Sequence, residues 1–104
     1  MQELPDTNEE LKARFNTETS KLNWQELQRF YASGAIVAVA EGLDLIEVAC
    51  QFSRDNKQAV EAWLAAGKIF KVDEEHALQW SQQDLLYWTV VVAPWVLVQV
   101  VSSQ

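Results

Sequence analysis

Cysteine, histidine, glycine and proline are all scarce in this chain, and bases are outnumbered by acids. The single cysteine, Cys50, has no internal disulfide partner, which points to a reducing compartment such as the cytoplasm. Together with the one histidine, His76, it cannot supply the four ligands of a structural zinc site. Only three glycines occur, and there is no Gly-rich phosphate loop, nucleophile elbow or metalloprotease motif. Eight Lys and Arg against fifteen Asp and Glu give a net charge of −7, which argues against nonspecific attraction to nucleic acid or anionic lipid. The opening "MQELPDTNEE" lacks the basic start and apolar segment of a secretory signal. These shortages predict a cytoplasmic protein with no cofactor and no metal.

What is plentiful is apolar side chain. With 49% hydrophobic and 22% charged residues, the 104-residue chain has the composition of one packed globular domain. The apolar content gathers at the end. No charged residue follows Asp84, and "VVVAPWVLVQVV", Val90 to Val101, is almost unbroken. The stretch from Tyr87 to Val101, interrupted by Pro94 and Gln99, falls short of the roughly 20 residues a membrane-spanning helix needs. Dense in Val and Trp, it reads as a strand kinked or bulged at Pro94.

Upstream, capping signals mark the helices. Thr7 with Glu10 opens a polar first helix carrying Leu11, Phe15 and Leu22 as a thin stripe, which predicts loose packing for residues 1–22 beside a single α+β domain at 23–104. Asn23 with Glu26 opens a second helix over 24–33, ended by Gly34. "AIVAVA", 35–40, reads as a buried strand. Asp44 with Glu47 opens a third helix with Leu45, Val48, Ala49 and Phe52 inward. Asp55 with Gln58 opens a fourth with Ala59, Val60, Trp63, Leu64 and Ala66 inward, ended by Gly67. "KIFKV", 68–72, alternates as a half-exposed strand does, and Asp73 caps a short helix carrying Ala77, Leu78 and Trp80. The expected fold is α+β, with helices packed on a small three-stranded antiparallel sheet in the element order of a winged helix.

Four stretches carry a family resemblance: "LNWQEL" (22–27), "LDLIEVACQF" (43–52), "VEAWLAAGKI" (60–69) and "VVVAPWVLVQ" (90–99). Together they resemble the short bacterial proteins grouped as domain of unknown function family 2288. The resemblance implies a bacterial, cytoplasmic, single-domain protein. It implies no reaction, cofactor or binding residue.

Candidate chemistry is thin. Cys50 lies on an apolar helical face, where a cysteine acts as a small hydrophobe, and His76 in "DEEHAL" reads as solvated. Asp73, Glu74 and Glu75, or Asp44 and Glu47, could form a carboxylate site for an enzyme, yet acids in a first helical turn already serve the macrodipole and the free N–H groups. Between residues 54 and 71, the bases Arg54, Lys57, Lys68 and Lys71 face only Asp55 and Glu61, so a winged-helix nucleic-acid surface is the alternative function. Four of the five tryptophans read as core; Trp95, after the proline, reads as a contact anchor. Both parities of the last strand are apolar except at Gln99, and the helices of one small domain can cover one face of a three-stranded sheet more readily than two. The main expectation is therefore a noncatalytic homodimerisation or protein-interaction module using Trp95, Leu97 and Gln99, with no membrane contact.

Overall fold

The computed structural model describes residues 8–101, so the capping box expected at Thr7 lies outside the described residues. In chain order, helix α1 (Asn8–Glu18) leads to strand β1 (Ser20–Asn23), helix α2 (Trp24–Ala32) and strand β2 (Ile36–Val39). Helices α3 (Leu45–Ser53) and α4 (Lys57–Ala65) follow, then strand β3 (Ile69–Lys71), helix α5 (Glu74–Ser81) and strands β4 (Leu86–Val92) and β5 (Trp95–Val100).

The apolar tail is two strands, not one. Ala93 and cis-Pro94 form the turn of an antiparallel hairpin in which Val90 faces Leu97, Val91 faces Val96 and Val92 faces Trp95. The residue that would interrupt a ladder thus sits where no ladder runs. A further strand is β1, "SKLN", which pairs antiparallel with β4; Leu22 belongs to it and not to the first helix.

These two changes overturn the three-stranded antiparallel sheet and with it the winged helix. Among the described residues the sheet has five strands in the order β1-β4-β5-β2-β3, and it is mixed, because β2 runs parallel to β5 while the other pairs are antiparallel.

Side chains alternate across this sheet, and each face meets its own helices. On the first face, Val37, Val39, Ile69, Val90 and Leu97 pack with Leu11 and Phe15 of α1 and with Leu45, Val48, Ala49 and Cys50 of α3; Val60 and Trp63 of α4 close the margin. On the second face, Ile36, Ala38, Tyr87, Val96 and Val98 pack with Trp24 and Leu27 of α2, and Ala77 and Trp80 of α5 lie against them. The chain therefore covers both faces itself. That is why both parities of β5 are apolar, and neither face needs a second copy or another protein to cover it. Nor is α1 loose: Leu11 is 5% and Phe15 1% exposed.

Helix starts follow the sequence closely with one shift. Asn23 and Glu26 form the expected reciprocal box, at 2.9 Å in both directions. The Asp44 carboxylate accepts from the Ile46 and Glu47 N–H groups. On α4 the cap is Asn56, which accepts from Ala59 N–H, while Asp55 sits at φ 57° in the turn. Gly34 and Gly67 take φ of 75° and 73°, the left-handed conformation that ends a helix without a Cβ penalty. The inward face drawn for α4 is too generous. Leu64 and Ala66 are exposed and Trp63 is only half-buried.

Candidate functional site

One cleft stands out for combining an exposed aromatic with polar groups from three elements. Its volume is about 300 Å³, and it is lined by Asn16 and Thr19 from the end of α1, by Asp44, Leu45 and Ile46 from the start of α3, and by Trp88 and Gln99 from the sheet. A cleft of about 350 Å³ between the start of α2 and the α5–β4 connection is larger, but Trp24 and Leu85 are its only apolar lining residues.

Each group in the first cleft is held by the fold. Trp88 stands on β4 between its cross-strand partners, Lys21 on β1 and Gln99 on β5. The Lys21 ammonium lies 4.9 Å from the ring centroid, a cation–π distance. From the other side, the Gln99 amide donates to Ala40 O at 2.7 Å and to Leu43 O at 2.6 Å, which fixes which amide atom is nitrogen. The Thr19 hydroxyl donates back to Phe15 O at 2.6 Å. Asp44 lends one carboxylate oxygen to the helix cap. Trp88 remains 37% exposed, and Leu86, two residues earlier on the same face, is 46% exposed.

The residues expected to form a partner surface differ in exposure. Leu97 is fully buried in the core between β5 and α3. Trp95 is half-buried, with Lys71 Nζ 5.5 Å from its ring centroid. Only Gln99 reaches the cleft. The proposed nucleic-acid residues are dispersed as well. Arg54 is the C-cap of α3, Lys57 opens α4, Lys68 follows its far end and Lys71 lies on the edge strand β3. A nine-residue helix, about 14 Å long, separates the first two from Lys68.

The titratable candidates have structural partners. Asp73 caps α5, and its carboxyl is held below the usual range, first by the hydrogen bond from His76 N–H. The His76 ring lies 2.7 Å from that carboxylate through Nδ1 and stacks on Phe70 at 4.5 Å, so it is half-covered and not freely solvated. Glu47 pairs with Lys12 at 3.3 Å and accepts from Gln51 at 2.9 Å. Cys50 is buried, and burial pushes its thiol pKa up, away from reactivity. Among the described residues, no three His, Cys, Asp or Glu gather closely enough to hold a metal ion, and no helix is long and apolar enough to cross a membrane.

Comparison with known proteins places this architecture. The family model described as "Protein of unknown function (DUF2288)" matches residues 10–100. The chain belongs to the DUF2288 family. The NMR solution structure of PA1075 from Pseudomonas aeruginosa is similar to it, at 38% identity over 99% of this chain and 95% of that one, with a TM-score of 0.79. Among curated proteins, none matches.

Sequence reasoning missed Trp88, Asn16 and Thr19 in this DUF2288 chain. In sequence, Trp88 sits in the same apolar block as fully buried neighbours. The one signal available was spacing: Leu86 and Trp88 share a parity at the start of β4, next to the edge strand β1.

Proposed function

We propose that this DUF2288 chain is a noncatalytic interaction module of the bacterial cytoplasm, with its contact surface at the Trp88 end of the first sheet face. The observation that carries this reading is the exposure of Trp88 and Leu86 side by side next to the short edge strand β1. A large aromatic left open beside a polar cleft is the usual anchor of a protein contact. Of the carboxylates that could have formed a catalytic site, Asp44 and Asp73 cap helices and Glu47 pairs with Lys12, which supports a noncatalytic role. The partner is a second copy or a different protein.

The test is affinity capture from the native cell with the unmutated chain and with a Leu86→Ser, Trp88→Ser variant. Circular dichroism checks that the variant keeps its fold, as expected where both side chains are exposed. The reading predicts a protein, or a differently tagged second copy, retained by the unmutated chain and lost from the variant. Equal retention by both, or by neither, contradicts it.

A further inference from the structure

Hydrogen-bonding capacity in the Trp88 cleft is lopsided. Both Gln99 amide hydrogens are engaged by Ala40 O and Leu43 O, which leaves Oε1 as an acceptor. The Thr19 proton goes to Phe15 O, which leaves oxygen lone pairs. Asp44 uses Oδ1 on the α3 cap and keeps Oδ2. Asn16 contributes one amide, with both a donor and an acceptor group. The cleft therefore holds more acceptors than donors, one of them on a carboxylate, around an indole that already carries a cation on its β1 side.

Such a surface selects its ligand chemistry. An anion would meet Asp44, whose cap has already taken the N–H groups that would otherwise attract it. A neutral sugar or amide could donate to these acceptors but brings its own acceptors, which the cleft has few donors to satisfy, and no charge to pair with the carboxylate. A guanidinium group offers five donors, no acceptor and a flat face that stacks on an indole. The surrounding chain, at −7, adds long-range attraction for a basic segment.

We propose that the cleft formed by Trp88, Gln99, Thr19 and Asp44 receives an arginine side chain from a partner protein. This rests on the interaction-module reading and specifies the partner's chemistry. The guanidinium stacks on the open part of the Trp88 ring, and its N–H groups donate to Gln99 Oε1, Thr19 Oγ1 and Asp44 Oδ2.

The experiment is an NMR titration of the full, isotope-labelled chain with the blocked tripeptide acetyl-Gly-Arg-Gly-amide. The same peptide carrying citrulline, which has the shape of arginine without its charge, and free arginine serve as comparisons. The arginine peptide is expected to shift the Trp88 indole N–H and the Gln99 side-chain amide, with the citrulline peptide at least about tenfold weaker. Trp88→Ala should weaken the arginine peptide by about tenfold. Asp44→Asn keeps the helix cap, because asparagine caps as well as aspartate, so a loss of about threefold or more there reports the charge alone.

Equal binding of the citrulline peptide overturns the proposal, as do shifts centred away from Trp88. Free arginine binding clearly more tightly than the blocked peptide would assign the cleft to the free amino acid and overturn the assignment to a partner protein's side chain. If the peptide fails while capture from the cell still depends on Leu86 and Trp88, the arginine assignment falls and the interaction module stands. If the capture shows no dependence on those residues, the module reading itself falls.

Discussion

The side-chain amide of Gln99 donates to the carbonyl oxygen of Ala40, 59 residues earlier in the chain, at 2.7 Å. It makes a second bond to Leu43 O at 2.6 Å, so one side chain ties the far end of β5 to the loop that launches α3. This explains the lone polar residue in an otherwise apolar strand: it serves two backbone acceptors beside the core. Gln99→Leu should destabilise the protein by about 1 to 3 kcal/mol through loss of those bonds. Gln99→Glu should cost more than Gln99→Leu, because an ionised carboxylate would face two carbonyls with no hydrogen to give. Urea denaturation of the three proteins checks the order.

Phe15 carries the second prediction. At 1% exposure and packed in the first-face core, Phe15→Ala should cost about 3 to 5 kcal/mol. Half-buried Trp63 should cost less on truncation to alanine, despite its greater size, because part of its ring already meets water. A Trp63→Ala variant less stable than Phe15→Ala would contradict the placement of α1 over the sheet and α4 at its margin.

Local signals in the sequence were informative and distant ones were not. The box at Asn23, the caps at Asp44 and Asp73 and the stops at Gly34 and Gly67 each depend on a few adjacent residues, and all four helices they frame were legible. The strand at 20–23 was not, because "SKLN" has only one apolar residue and pairs through its backbone with residues 86–89. The parallel pairing of Val37 with Leu97 was equally hidden, since nothing near either residue specifies a partner 60 positions away. Missing β1 and reading the tail as one strand kinked at Pro94 removed two strands from the expected sheet. With the sheet too small, its double helical cover could not be seen, and an internal core was read as a partner surface. Gln99 alone passed from the expected site to the observed cleft.

Tyr87 carries the third prediction. Its ring stacks on Trp80 at 4.8 Å, and it is wholly buried, with a hydroxyl that has no hydrogen-bond partner among the described residues. Tyr87→Phe should therefore be neutral or stabilising by about 1 kcal/mol at pH 7. Burial also raises the pKa of this phenol above its ordinary value near 10. The unfolded chain then loses the proton at lower pH than the folded one, so stability is intact below pH 10 and falls as pH rises from there toward the higher folded value. Stability measured against pH should show a shallower alkaline decline for Tyr87→Phe than for the unmutated protein. Parallel curves would contradict the burial of the hydroxyl.

The most direct test of the contact surface is site-specific photo-crosslinking in the native cell. A benzophenone side chain replaces Leu86, beside Trp88, in one protein, and Leu64, equally exposed on α4, in another. The account predicts a discrete adduct from position 86, either to a second copy or to one other protein, and none from position 64. An adduct from position 64 with none from position 86 would contradict the claim that this protein makes its contacts at the Trp88 end of the sheet.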